Sequence, residues 1–246
     1  MLEEREDAFG RALFDYYQGK GEFLVIERDD GYCDTLEMEH YFNEFDQWPE
    51  YQKEAMYYVE GKVLDIGCGA GRHCLYLQKN GLKVVGIDNS PLAIKVCKLR
   101  GVKKAELIDL HEINEEMGVF DTITMLGNNF ALVGNPFAAK KILKKFFKMT
   151  SENGRIVAEC MNPYPTDNED HLEYHERNKR RGRLSGHVTV RIRYLKYMSS
   201  WRDLLFLSQE EMKEIIKETG WKITNVIENK ETPHYLAIIE KEKVQQ

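Results

Sequence analysis

Residues 63–90 read VLDIGCGAGRHCLYLQKNGLKVVGIDNS, and the order of residue types in that stretch decides the fold. Lys62 to Ile66 (KVLDI) is an apolar run of strand length, broken by Gly67-Cys68-Gly69-Ala70-Gly71, whose glycines permit a tight turn. A helix from about Arg72 to Asn80 follows, and Gly81 supplies its left-handed stop. Leu82 to Ile87 (LKVVGI) is a second strand ending at Asp88. Ser90-Pro91 then offers an N-cap and a first-turn proline for a helix running to about Arg100. Strand, glycine turn, helix, strand and helix in succession make the βαβ unit of a parallel sheet.

The same alternation continues outward. Ala105 to Ile108 is a weak third strand ending at Asp109, Phe120 to Leu126 (FDTITML) a fourth, and Gly154 to Cys160 (GRIVAEC) a fifth, with a helix from Asn135-Pro136 through Met149. Five such units predict a doubly wound α/β sheet. Ser208 with Glu211 forms a capping box for a helix predicted to end at Gly220, and Trp221 to Ile227 with His234 to Ile239 read as a closing antiparallel pair. Two regions lie outside the repeat. Residues 1–60 read as an N-terminal helical and hairpin cap, with a hairpin at Phe23 to Ile26 turning at Asp29-Asp30-Gly31, ahead of a domain over 61–246. Tyr41, Phe42, Phe45 and Trp48 recur at about helical intervals there and read as core. Residues 162–200 interrupt the repeat after the fifth strand and contain His187 to Leu195 (HVTVRIRYL), an alternation of strand type.

Composition narrows the class. The chain has 246 residues, 42% hydrophobic and 31% charged, with a formal net charge of −6. That is enough apolar material for a sizeable core, and the acidic balance gives no global attraction for nucleic acid or anionic lipid. Cys33, Cys68, Cys74, Cys97 and Cys160 form no Cys-x-x-Cys pair, which suits free thiols in a reducing compartment. The leader MLEERED lacks the basic and apolar regions of a secretory signal, so a cytoplasmic location is expected. The uncharged run Thr122 to Ala139 is interrupted by glycines, asparagines and Pro136, and reads as strand, loop and helix start instead of a membrane span.

A glycine turn alone is shared by several nucleotide sites. Here an acid, Asp65, precedes the first glycine, where it would repel a phosphate and favour an ammonium or sulfonium group. Asp88 ends the second strand, where a carboxylate accepts both ribose hydroxyls of an adenosine. Asp109 ends the third, placed to accept from an adenine amino group with Leu110 against the ring. Three acids at successive strand ends describe a place for a cationic adenosine compound.

In combination these residues resemble the cofactor-binding half of class I S-adenosylmethionine-dependent methyltransferases, over roughly Lys62 to Cys160. The resemblance implies a mostly parallel, Rossmann-like sheet of seven strands with one reversed. It also implies S-adenosyl-L-methionine as cofactor, with Gly67, Cys68 and Gly69 on its methionine portion, Asp88 and the adjoining Asn89 on its ribose, and Asp109 with Leu110 on its adenine. Leu126 and Gly127 would line the methyl-transfer side. Tyr41 would fold over the cofactor, and Arg72 would meet its carboxylate, with an exposed first-turn arginine as the equal alternative.

The acceptor leaves fainter marks. Gly127-Asn128-Asn129-Phe130 replaces the Asn/Asp-Pro-Pro-aromatic motif of enzymes that methylate base amino groups, which disfavours that subclass. His171 and His175, four apart on one helix face, read first as a satisfied or solvent-facing pair, second as a group that strips the acceptor proton, a role for which Tyr164 is the other candidate, and third as a metal site; no metal is expected, since the reaction requires none. Arg177, Lys179, Arg180, Arg181 and Arg183 form a basic run with two readings, a solvated loop or a lid for an anionic small-molecule acceptor. RNA or protein acceptors, a sensor or scaffold that binds the cofactor without turnover, and a NAD-dependent oxidoreductase are the rivals. The last is disfavoured by the glycine spacing and Asp65.

Overall fold

The computed structural model describes residues 5–242, so Met1–Glu4 of the acidic leader lie outside it. Helix α1 (Ala8–Tyr17) is followed by the hairpin β1 (Phe23–Arg28) and β2 (Cys33–Glu37), then by helix α2 (Glu50–Ala55). The alternating segment comprises β3 (Lys62–Ile66), α3 (Arg72–Lys79), β4 (Lys83–Asp88), α4 (Pro91–Leu99), β5 (Ala105–Leu107), β6 (Phe120–Met125), α5 (Pro136–Lys148) and β7 (Thr150–Met161). After it come α6 (Glu169–Arg180), β8 (His187–Tyr194), β9 (Tyr197–Met198) and β10 (Arg202–Leu205). Helix α7 (Gln209–Ile216) and strands β11 (Trp221–Glu228) and β12 (His234–Lys241) complete the described chain.

Seven strands form a mostly parallel sheet in the order β11-β12-β7-β6-β3-β4-β5. β12 runs against both β7 and β11, while β6 with β7 and β4 with β5 are parallel pairs. The strand order turns round at β3, and in such sheets ligands bind outside the carboxyl ends of strands near that point. The predicted doubly wound α/β sheet of seven strands is therefore the observed one. A second sheet, β10-β8-β1-β2 with β9 added to β8, joins the N-terminal hairpin to the strand of the 162–200 interruption. β1 and β8 are antiparallel, from Val25 opposite Arg193 to Arg28 opposite Val190.

The chain divides into two compact units: the described residues through Trp48 with Asp65–Leu110 and Thr189–Arg202, and Pro49–Leu64 with His111–Val188 and the described residues from Asp203. In the first, Ala8, Ala12 and Leu13 of α1 share a buried cluster with Ala93 and Val96 of α4 and with Leu24, Ile192 and Tyr194 of the second sheet. Small residues on facing helices permit close approach, and Asp7 exploits it. Its carboxylate caps α1 by accepting from the Gly10 N–H at 3.0 Å and also accepts from the Leu92 N–H at 3.0 Å in the first turn of α4. A Cβ on Gly10 would collide with Ser90 Oγ, so glycine is required at that crossing. In the second unit, Ile142, Leu143 and Phe146 of α5 and Met212, Ile215 and Ile216 of α7 are buried. Trp221 Nε1 donates to the Leu143 carbonyl at 2.9 Å. Asn178 of α6 is fully buried, and its amide donates to the Ser185 and His187 carbonyls at 3.0 and 2.7 Å, which folds the loop after α6 back on the helix.

Some boundaries differ from those read in the sequence. The Ser208/Glu211 capping box is present, but α7 stops at Ile216 because Lys217 is extended (ψ 141) and Glu218 is left-handed (φ 63), four residues before the glycine. β7 starts at Thr150 instead of Gly154, since Thr150 pairs with Phe120 before the register shifts. The Tyr41 to Trp48 stretch is not one helix but two 3-10 turns, Met38–Tyr41 and Phe45–Gln47, the second closed by a Glu44/Gln47 capping box. That break sends its aromatics to different neighbours. Phe45 stacks on Tyr76 with centroids 4.3 Å apart, Trp48 lies edge-on to His73 at 4.7 Å, and Tyr41 meets Phe9 at 5.1 Å. The uncharged run at 122–139 is β6, a 3-10 turn and the start of α5, and no helix among the described residues is long and apolar enough to cross a membrane.

Burial of His73 predicts a pH signature. Its Nε2 has no hydrogen-bond partner, and burial, then the charge of Arg72, hold its pKa well below the ordinary value. In the unfolded chain the ring titrates near about 6.5, so the unfolded state takes up the proton first on acidification. Its contribution is therefore intact above about pH 6.5 and declines below it, by up to about 1.4 kcal/mol per pH unit. Thermal unfolding between about pH 7 and 5 should fall less steeply in a His73→Phe variant than in the native chain. Equal slopes would refute the neutral, buried ring.

Candidate active site

The cofactor candidates of the first unit converge on the loop after β3. Gly69 has φ +55, a conformation that strains other residues, and a Cβ there would sit 3.3 Å from the Tyr41 ring, close enough that the ring would have to shift. Asp88, the last residue of β4, is buried and braces this loop: Oδ2 accepts from the Gly69 N–H at 3.0 Å and Oδ1 from the Ser90 N–H at 2.9 Å. Desolvation raises its pKa against the lowering effect of those two N–H groups. Ser90 in turn caps α4 by accepting from the Ala93 N–H at 2.9 Å. Asn89 donates its side-chain amide to Asp109 Oδ2 at 3.0 Å, and Leu110 is buried beside it in sequence.

Asp65 is 1% exposed and accepts from the Cys74 thiol at 3.1 Å. Contact with Cys68 lowers the Cys74 pKa, but burial and the Asp65 charge push it up to about 12, so the thiol remains a donor. Cys68 and Cys97 lie behind the loop, with the Cys97 thiol donating to the Gly69 carbonyl at 3.1 Å. All five cysteines are free thiols and four are buried. Arg72 donates to the His40 carbonyl at 2.9 Å and lies over the Trp48 ring at 5.4 Å, which ties it to the segment carrying Tyr41. Burial raises the Tyr41 pKa to about 12, so its phenol stays protonated. Two residues of this unit were not legible beforehand: Asp7, described above, and Arg202, whose Nε is buried without a partner and whose charge acts on Asp88 and Tyr41.

The second unit holds the remaining candidates. Leu126 is buried at the exit of β6, and Gly127 follows it, exposed. The Gly127 N–H donates to Glu159 Oε2 at 2.8 Å. Glu159, on β7, is 2% exposed and also accepts from Gln52 Nε2 and the Tyr51 hydroxyl of α2, each at 2.8 Å. Sequence reading missed it, although a lone acid inside the apolar run GRIVAEC is itself a signal. Tyr164 donates to Glu211 Oε1 at 2.6 Å, and its ring centroid lies 6.0 Å from that of His175. His171 Nδ1 is 3.2 Å from Thr166 Oγ1. Tyr164 and His175 are thus neighbours, and the Tyr164 proton is directed to the carboxylate that also caps α7.

The first unit's residues fit a cationic adenosyl group on their own chemistry. Gly69 leaves a cradle that a Cβ would fill, and the acids Asp65, Asp88 and Asp109 outnumber the orphaned guanidinium of Arg202.

A family model described as a methyltransferase domain matches residues 59–220. The crystal structure of an S-adenosylmethionine-dependent methyltransferase from Bacteroides fragilis in complex with S-adenosyl-L-homocysteine superposes with a TM-score of 0.83 at 27% identity, covering 98% of this chain and 97% of that one. Among curated relatives, the S-adenosyl-L-methionine-dependent Diels-Alderase of Talaromyces variabilis is 30% identical over 102 residues, 39% of this chain and 35% of its own. The glycine/sarcosine N-methyltransferase of Parasynechococcus marenigrum is 26% identical over 106 residues, 41% of this chain and 38% of its own. The chain thus spans well under half the length of these two curated relatives. With the family model covering the whole of the alternating segment and the glycine loop and strand-end acids in place, the chain belongs to the methyltransferase-domain family, on the class I S-adenosylmethionine-dependent fold.

Proposed function

We propose that the protein transfers a methyl group from S-adenosyl-L-methionine to a small-molecule acceptor carrying an anionic group. The observation that carries the cofactor half is the Asp88 carboxylate, buried at the end of β4 and bonded to the Gly69 N–H. When bound, the cofactor supplies a methyl group activated by its sulfonium centre. In this reading Gly67, Cys68 and Gly69 bind the methionine portion, Asp88 and Asn89 the ribose, and Asp109 with Leu110 the adenine. Asp65 adds negative charge for the ammonium group, Tyr41 covers the loop, and Arg72 holds the segment that carries Tyr41. Methyl transfer is an in-line displacement, so positioning and exclusion of water matter more than a loud catalytic group.

Leu126 and Gly127 line the acceptor side in this proposal, with Glu159 holding the Gly127 backbone in place. His175 and His171 are the proton-accepting candidates. Tyr164 is a weaker one, because its hydroxyl already donates to Glu211. The anionic acceptor rests on the run from Arg177 to Arg183, in which Arg180, Arg181 and Arg183 are exposed while Lys179 pairs with Glu176. Arg191 and Arg193 do not join it, since both pair with Glu27. We take residues 1–60 as the cap and 162–200 as the lid-like insertion of a domain over 61–246, an assignment supported by the sheet their strands share. A cytoplasmic setting fits the free thiols.

A labelled-methyl transfer assay against cell metabolite, RNA and protein fractions tests this. Label in the metabolite fraction, with S-adenosylhomocysteine formed in step, is the expected outcome; label in RNA or protein overturns the small-molecule acceptor. A second reading, in which the bound cofactor serves something other than methylation, draws on the Diels-Alderase relative. Tight cofactor binding with no label in any fraction would favour it.

A further inference from the structure

Arg202 opens β10, the edge strand of the second sheet paired with β8. Its Nε is buried and unpartnered, and among the described residues no hydrogen bond or ion pair engages its guanidinium. The charged and ionisable groups that act on it are Asp88, Tyr41 and Asp109, the residues that surround the loop after β3 and the ends of β4 and β5. Asp88 makes no hydrogen bond to it; the Asp88 oxygens accept the Gly69 and Ser90 N–H groups. Asp109 likewise accepts from Asn89.

A guanidinium only donates, and it presents five N–H groups in a fixed plane. Taking one of these N–H groups out of water without a partner is unfavourable, so the buried, unbonded Nε of the partly buried Arg202 marks a place where an acceptor is expected. The cofactor's adenosine offers ring nitrogens and ribose oxygens as acceptors and a flat face on which a planar cation can stack. We infer that Arg202 is a ligand of the cofactor's adenosine portion, delivered from the second sheet opposite the acids of the first. This rests on the cofactor assignment of Asp88 and Asp109 proposed above. It also gives the second sheet a part in cofactor binding: a residue on its edge strand contributes directly to the nucleoside site.

Isothermal titration calorimetry with S-adenosylhomocysteine and with adenosine separates the possibilities, using the full chain and the variants Arg202→Met, Arg202→Lys and Asp88→Asn. Arg202→Met should weaken both ligands by about tenfold or more, as expected for the loss of a charge-assisted hydrogen bond, and Arg202→Lys should recover part of it. Unchanged thermal unfolding of the ligand-free lysine variant checks that the fold survives. If Arg202→Met binds S-adenosylhomocysteine within twofold of the native chain while Asp88→Asn does not, the Arg202 inference fails and the cofactor site stands. If neither variant loses affinity, both fail. A loss confined to S-adenosylhomocysteine, with adenosine unaffected, moves the contact to the amino-acid portion and overturns the adenosine assignment.

Discussion

Replacing Asp88 with Asn should weaken S-adenosylhomocysteine binding by about a hundredfold, the equivalent of roughly 3 kcal/mol, while the ligand-free protein remains folded. Two losses combine in that figure. The native carboxylate accepts from the Gly69 and Ser90 N–H groups on separate oxygens, and an amide has one oxygen to offer, so one of these donors would face an NH₂ group. The glycine loop then loses its brace, and the remaining lone pairs no longer suit two ribose hydroxyls. The native site should also be acid-sensitive. Desolvation raises the Asp88 pKa, so the carboxylate protonates at a higher pH than an ordinary aspartate, and affinity should begin to fall before ordinary aspartates titrate. Calorimetric affinities across an acidic pH series read both effects. Native-like affinity in the Asn variant would remove Asp88 from the site.

The second large effect is expected at Glu159. Truncation to Ala removes the acceptor that three donors share, the Tyr51 hydroxyl and Gln52 amide in a buried setting and the part-buried Gly127 N–H. Each orphaned group costs about 1–3 kcal/mol, less whatever water entering the cavity restores, so a net loss of about 4 kcal/mol is expected. At this chain length that lowers Tm by about 10 °C. Glu159→Gln keeps the shape and one acceptor oxygen and should cost less than half as much. A Tyr51→Phe background should reduce the cost of Glu159→Ala, since one of the stranded donors is then already absent. A Glu159→Ala protein melting within about 2 °C of the native one would show that the network carries little stability.

The parts of the molecule that were legible beforehand depend on near neighbours in sequence. The glycine loop, the Ser90-Pro91 helix start and the capping box at Ser208 each announce themselves within a few residues, because turn conformation and N–H capping are local requirements. The α7 stop was misread for a related reason. Gly220 is a genuine left-handed glycine, but the chain had already left the helix at Lys217. What stayed hidden depends on distant pairing. Arg202 reaches the neighbourhood of Asp88 through β10 and β8, and β8 is positioned by a hairpin more than 150 residues earlier. Arg191 and Arg193 find their acidic partner, Glu27, only on that same hairpin. Glu159 was visible as an acid in an apolar strand, yet its meaning required Tyr51 and Gln52, contributed by a helix that precedes the whole alternating segment.

The shared cap at Asp7 makes the first helix and the turn at Asp88 and Ser90 a single thermodynamic unit. One carboxylate closes the N-terminus of α1 and the first turn of α4, two residues beyond Ser90, so fraying of α1 withdraws an acceptor from the turn that Asp88 and Ser90 build. The coupling is reciprocal: a ligand that grips Asp88 raises the free energy of α1 detachment by the same amount that α1 detachment weakens the ligand. The order of α1 and the occupancy of the proposed nucleoside site thus report on one another, although the helix itself need not touch the cofactor.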